Sequence, residues 1–239
     1  MNTPTRTDRP LDLLRPVVLE RHAIVHAEGS CLIATGRTRV LCAATVQENV
    51  PDWRRGQGAG WVTAEYAMLP RSTLQRTPRE RSRVGGRTQE IQRLIGRALR
   101  AAIDLIALGE RSIIIDCDVL IADGGSRTAA ITGAAMALYD ACGTLVERGL
   151  LEATPMRELV AATSVGVLAG LPHLDLEYIE DVAADVDMNI VALESGRLVE
   201  VQGTAERSSF DRQALDALLD LGLAGTRELF RLQRAALAL

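Results

Sequence analysis

Apolar and polar positions alternate through residues 17–50, in runs such as Cys31-Leu32-Ile33-Ala34 and Val40-Leu41-Cys42-Ala43-Ala44-Thr45-Val46 around Gly29 and Gly36. A period of two predicts antiparallel strands. Trp61–Leu69 predicts another strand, followed by a proline-bearing exposed loop over 71–84. From Gln89 the period lengthens: Ile91, Leu94, Ile95, Ala98, Leu99, Ala102, Ile103 and Ile106 recur at helical spacing, with Arg93, Arg97 and Arg100 opposite and Gly109 as the stop. Ser112–Ile121 reads as a buried strand that feeds a second helix, roughly Ala129 to Arg148. Asp116 and Asp118 within it require partners, and the arginines of the first helix are the expected ones.

The second half repeats the strand signal at Val160–Leu168, Leu174–Ile179, Val186–Leu193 and Leu198–Val201. A C-terminal helix follows from about Asp211, with Gly222 and Gly225 as candidate break points. Strands and then a helix, twice over, predict an α+β fold in a single domain with two related halves, 1–150 and 151–239.

Composition changes this picture in two respects. All 27 basic residues are arginine. Without lysine, a P-loop lysine, a Schiff base and a lysine general base are excluded. The four cysteines, Cys31, Cys42, Cys117 and Cys142, stand singly in apolar stretches, away from any metal-ligand spacing, and read as core residues in a reducing compartment. The N-terminus is polar and no run approaches membrane-spanning length, so a cytoplasmic protein without membrane contact is expected.

The net charge of −4 hides a segregation. Residues 54–100 hold eleven arginines against Glu65, Glu80 and Glu90, a local net of +8 that leaves −12 elsewhere. A basic segment in an acidic protein suits a polyanion channel, or a subunit contact with an acidic neighbour.

Candidate chemistry lies in two glycine turns closed by arginine, Gly85-Gly86-Arg87-Thr88 and Gly124-Gly125-Ser126-Arg127-Thr128, each expected to open an amphipathic helix. Glycine permits close backbone approach, a helix N-terminus offers unpaired N–H groups, and guanidinium grips phosphate bidentately. Further on, six carboxylates fall within residues 175–187. Asp185 and Asp187 share a strand face, with Asp181 reachable across a turn. Such a cluster binds a hard cation or raises the pKa of one member, unless it is only an acidic hairpin.

In order along the chain, Arg15-Pro16, His26-Ala27-Glu28-Gly29-Ser30, Gly56-Gln57-Gly58, Thr63-Ala64-Glu65-Tyr66, Met68-Leu69-Pro70-Arg71-Ser72-Thr73, Gly85-Gly86-Arg87-Thr88 with Glu90-Ile91-Gln92-Arg93-Leu94-Ile95, Asp116-Cys117-Asp118-Val119, Asp123-Gly124-Gly125, Asp175-Leu176-Glu177-Tyr178, Asp187-Met188-Asn189 and Val201-Gln202-Gly203-Thr204-Ala205-Glu206 resemble the ribonuclease PH family. The resemblance implies a fold like that of ribosomal protein S5 domain 2 and a homo-hexamer built as a trimer of dimers. It also implies phosphorolysis: inorganic phosphate, as co-substrate, attacks the last phosphodiester of tRNA precursors and other RNA 3′ ends, with Mg²⁺ present. Phosphate-binding positions fall on Arg87, Gly125, Ser126 and Arg127. The acids fall on Asp181 and Asp187, with the proton assigned to Asp187 and Asp181 beside it as a Mg²⁺ ligand, the two roles being exchangeable. Arg93 and Arg97 are candidates for the RNA backbone, and Arg71, Arg76 and Arg79 for guiding tRNA further out.

Ser126 stands where the family commonly has threonine, and the loop Thr77–Val84 is shorter and richer in arginine than usual. Two other readings compete, a non-catalytic ring subunit of exosome type and a metal-dependent hydrolase. The first is expected to lack the phosphate arginines or the paired acids; the second needs more metal ligands and no anion turns.

Overall fold

The computed structural model describes residues 6–80, 84–207 and 209–239. Arg81, Ser82 and Arg83 of the arginine-rich loop lie outside the described residues. The alternating segments form strands β1 (Val17–Arg21), β2 (Gly29–Thr35), β3 (Thr38–Gln47), β4 (Trp61–Met68) and β5 (Ser112–Ile121). They make one five-stranded sheet in the order β1-β2-β3-β5-β4, antiparallel except for the β4–β5 pair. A second sheet, β7-β6-β8-β9, is antiparallel and comprises β6 (Val160–Leu168), β7 (Leu171–Leu174), β8 (Val186–Leu193) and β9 (Leu198–Ala205).

Helices α1 (Gly86–Ala102) and α3 (Ser126–Glu147) lie between the sheets, and α5 (Arg212–Leu237) covers the far side of the second. The fold is α+β, as the strand and helix signals predict. Its main core gathers Ile33, Val40, Ile95, Leu99, Ile113, Ile131, Met136 and Val160. A smaller one, with Val165, Met188, Ile190 and Leu218, sits under α5.

Several expectations are corrected. The first helix does not run to Gly109: it ends at Ala102, Ile103 bridges to Met156, and Asp104 caps a separate short helix α2 (Leu105–Leu108) by accepting from Ile106 N and Ala107 N. Ile106, assigned to the apolar stripe, is exposed. α3 is not amphipathic but buried on nearly every side between the sheets. It is also long and apolar enough, by length and composition, to cross a membrane, contrary to the expectation that no run approaches that length; here it is a core helix.

Of residues 174–179 only Leu174 belongs to a strand, as the end of β7. Asp175 turns the chain with a φ of 54°, and a capping box between Glu177 and Glu180 starts helix α4 (Tyr178–Ala183). β9 runs on to Ala205, past the expected end at Val201. α5 does not break at its glycines. A Cβ at Gly222 would stand 2.2 Å from Ile190 Cδ1 and one at Gly225 would stand 2.7 Å from Leu174 Cδ1, so these positions let the helix lie close on the second sheet. β5 is buried on one face only, and Asp116 and Asp118 lie on the other, beside Glu65 of β4. Among the described residues no arginine of α1 pairs with them. Partial burial, with Glu65 and Asp118 nearby, raises the Asp116 pKa.

Candidate active site

The site begins where β5 leaves its sheet. Gly124 and Gly125 take φ of 73° and 65°, and Gly125 is the N-cap of α3. A Cβ at Gly124 would lie 2.3 Å from the carbonyl oxygen of Leu176, so the turn is pressed against the entry to α4. No side chain caps α3, and its first intrahelical bond is Ala129 N to Gly125 O at 2.9 Å. The N–H groups of Ser126, Arg127 and Thr128 are therefore free of helical partners and suit an anion.

The turn is fixed from behind. Thr38 Oγ1 donates to Gly124 O at 2.7 Å and accepts from Asp123 N at 2.9 Å, while Arg37 holds the Asp123 carboxylate at 2.9 Å. Arg15 Nη1 donates to Asp123 O at 2.5 Å and Arg15 Nη2 pairs with Asp175 Oδ1 at 2.7 Å. Burial works against the Arg15 charge, but hydrogen bonding and attraction from Asp175 outweigh it and raise its pKa. Tyr66 of β4 and Ser126 share a hydrogen bond of 2.9 Å between hydroxyls, and burial raises the tyrosine pKa.

The first glycine turn differs from the second. Gly85 is extended, with φ −66°, and open space surrounds the Cβ direction of Gly86. Glu80 Oε1 accepts from Thr88 Oγ1 at 3.1 Å, so a carboxylate already stands near the α1 N-terminus. What this turn adds to the site is Arg87, whose charge reaches Tyr66, Asp181 and Asp187.

Asp181 on α4 and Asp187 on β8 stand on either side of the Ala184-Asp185 corner, near enough for the charge of Asp181 to act on Asp187. Burial, then the Asp181 charge, raises the Asp187 pKa to about 6, against the opposing pull of Arg127 and Arg87; Glu206 adds to the rise. Burial also raises Asp181, and Arg127 and Arg87 pull it down. The structure thus brings Arg87, Arg127, Asp181 and Asp187 into one electrostatic field beside Gly125 and Ser126. Arg127 is steered by β9: Nη1 donates to Gln202 Oε1 at 2.9 Å, and Gln202 Nε2 donates to Glu90 Oε1 at 3.0 Å.

The RNA candidates are exposed. Arg93 is exposed on α1, and Arg97 pairs with Glu200 at 2.7 Å. Arg71, Arg76 and Arg79 are exposed, and no salt bridge holds them among the described residues. Arg15, Tyr66, Gln202 and Glu206 stand in the family-like stretches without a role of their own, and Thr38 carries no signal in the sequence. Their partners lie far away in the chain, and only an unusually placed polar residue in an apolar strand, such as Tyr66, carries a local signal.

A helix start with unpaired N–H groups, two guanidiniums and two carboxyls whose pKa values burial raises is an arrangement that can take up a phosphate group. Two models of the 3′ exoribonuclease family match the chain, domain 1 over residues 13–142 and domain 2 over residues 158–225. The chain belongs to this family, that of ribonuclease PH. Among solved structures it is similar to an archaeal exosome core, at 22% identity and a TM-score of 0.73 over 95% of this chain and 88% of that one. Rrp46 of rice (Oryza sativa) matches at 19% identity and 0.76, over 96% and 98%. The Archaeoglobus fulgidus exosome with RNA bound to the active site matches at 22% and 0.78, over 96% and 91%. At these identities the likeness is one of fold.

Proposed function

We propose that the chain is a phosphorolytic 3′–5′ exoribonuclease that shortens the 3′ extensions of tRNA precursors and releases nucleoside 5′-diphosphates. The observation that carries this reading is the convergence of Arg87 and Arg127 on Asp181 and Asp187 beside an uncapped α3 N-terminus. Phosphate and phosphodiester repel each other, so the nucleophile has to be held and its charge absorbed. The α3 N–H groups, the Ser126 hydroxyl and the two guanidiniums do so. A phosphate oxygen attacks the phosphorus of the terminal nucleotide, and the bond from that phosphorus to the preceding 3′-oxygen breaks. Asp187, raised to about 6, gives the leaving oxygen its proton. The reverse reaction adds a nucleotide and returns phosphate.

Mg²⁺ fits the acids. Among the described residues no three metal-ligating side chains converge, but Asp181 and Asp187 form a two-carboxylate set of the kind Mg²⁺ uses while keeping most of its water. Asp181 would hold it while Asp187 carries the proton, or the two would exchange these roles, and its charge would steady the phosphates. Arg93 and Arg97 line the approach for the RNA backbone, with Arg71, Arg76 and Arg79 further out. Exosome assemblies among the structural relatives, one with RNA bound, support RNA binding and a ring-like oligomer; we assign the ring as a homo-hexamer.

The test is digestion of an RNA with a short 3′ extension, with and without inorganic phosphate, in Mg²⁺. Nucleoside diphosphates formed only with phosphate support the proposal. Monophosphates formed without phosphate indicate a hydrolase, and RNA binding without products indicates a structural ring subunit.

A further inference from the structure

Asp181 rides on α4, a helix with little apolar anchorage. Tyr178, Ile179 and Val182 are 59%, 53% and 60% exposed, and the one buried residue of the helix is a charge, Glu180. Six residues do not sustain a helix in water. Its own capping box supplies part of the hold, with Glu177 N donating to Glu180 Oε2 at 3.0 Å.

The rest comes from the N-terminal segment. Arg6 grips Glu180 with both arms of its guanidinium, Nε to Oε1 at 2.6 Å and Nη2 to Oε2 at 2.7 Å, and both side chains are almost wholly buried. Arg6 Nη2 also donates to Leu174 O at 3.0 Å, Arg9 Nη2 to Asp175 O at 2.7 Å, and Leu174 N to Leu11 O at 2.8 Å. Residues 6–13 therefore lie along the β7–α4 corner as a strap. Most of the strap precedes residue 13, where the family match begins.

We propose that Arg6 is a positioning residue for the reaction: through Glu180 it holds α4 in the place from which Asp181 faces Asp187 and the bound phosphate. The geometry supports this role because Glu180, the one side chain of α4 that Arg6 grips, directly precedes Asp181. The inference rests on the catalytic reading of Asp181 given above.

The test compares Arg6→Ala, Arg6→Lys, Glu180→Gln and Asp181→Asn in the full chain. Two readouts are taken below the melting temperature: hydrogen exchange of residues 178–184, and phosphorolysis at saturating RNA over a range of phosphate. Arg6→Ala should speed exchange of the α4 amides about tenfold or more while α3 is unchanged. Its kcat should fall tenfold or more with KM for phosphate within about twofold, and Arg6→Lys should recover part of the loss. Glu180→Gln, of nearly the same shape, should follow Arg6→Ala and replaces it if that variant does not fold.

Normal α4 exchange, or fast exchange with wild-type kcat, overturns the positioning role. Fast α4 exchange together with wild-type kcat in Asp181→Asn refutes the role given to Asp181 instead, leaving the strap a stabiliser of α4 alone.

Discussion

Arg15 and Asp175 form a buried pair that joins the two sides of the site. Arg15 donates from its backbone N–H and its Nε to Asp175 Oδ2 at 2.8 and 3.0 Å, and from Nη2 to Oδ1 at 2.7 Å, while Nη1 reaches the carbonyl of Asp123 in the α3 turn. Asp175 has a φ of 54°, a conformation costly for a residue other than glycine unless its surroundings hold it. One guanidinium thus sets the distance between the phosphate turn and the corner leading to Asp181.

Removing either member leaves a buried charge without its partner. Arg15→Ala and Asp175→Ala should each cost about 3–5 kcal/mol of stability, and the double variant should cost less than the sum. Urea unfolding of the three proteins measures this. Additive losses would mean that the two residues act separately.

Gln202 aims the Arg127 guanidinium while its own amide is satisfied by Glu90. A hydrogen bond donated by a charged guanidinium contributes about 1.5–3 kcal/mol, of which only a part bears on phosphate, so Gln202→Leu should raise KM for phosphate about 3- to 10-fold and leave kcat within about twofold. Arg127→Ala removes the charge itself and should cost about 100-fold in kcat/KM for phosphate. Equal effects from the two variants would mean that Gln202 does more than orient the arginine.

The strands of the first sheet and the span of β8 were legible because their apolar residues either alternate with polar ones or run together over a strand's length. The ends of helices were less so. The stripe Ile91–Ile106 spans a true break, since Ile103 leaves the helix to bridge a residue 53 positions later and Asp104 prefers to cap. At 174–179 the apolar alternation is overridden by Arg15 and by the capping box, both invisible to periodicity. Gly222 and Gly225 look like breaks but are contact surfaces for Ile190 and Leu174. The site divides along the same line. Arg87, Arg127, Asp181 and Asp187 sit in recognisable local settings, whereas Arg6, Arg15, Tyr66 and Gln202 matter through partners at least 60 residues away.

The two glycine turns should respond differently to a methyl group. Gly124→Ala meets the Leu176 carbonyl and a φ of 73° together, and should cost roughly 2–3 kcal/mol or more with loss of phosphate use. Gly86→Ala enters open space on a helix and should be neutral or stabilising by up to about 1 kcal/mol. Paired thermal melts and phosphate titrations test both, and a tolerated Gly124→Ala contradicts the tight packing of the turn on α4.

Asp187 should exchange stability for activity. Its folded-state pKa of about 6 exceeds the ordinary 3.8, so the folded state binds the proton more tightly than the unfolded chain. Stability therefore rises as pH falls through about 6 and levels off below the unfolded value, and the whole penalty is present at pH 7.5. Two units correspond to about 3 kcal/mol as an upper figure. Asp187→Asn should melt higher than the parent at pH 7.5, lose this advantage near pH 4, and turn over no RNA while still binding it. An active Asp187→Asn would place the proton donor elsewhere.

The most direct test of phosphorolysis follows the phosphorus atom. The protein is incubated with an unlabelled RNA, Mg²⁺ and [³²P]-phosphate, and the released nucleotides are separated. Label should appear in the β-position of nucleoside diphosphates, in amounts equal to the nucleotides removed, and should vanish in Arg127→Ala at limiting phosphate. Removal of nucleotides without incorporation of label would contradict the account.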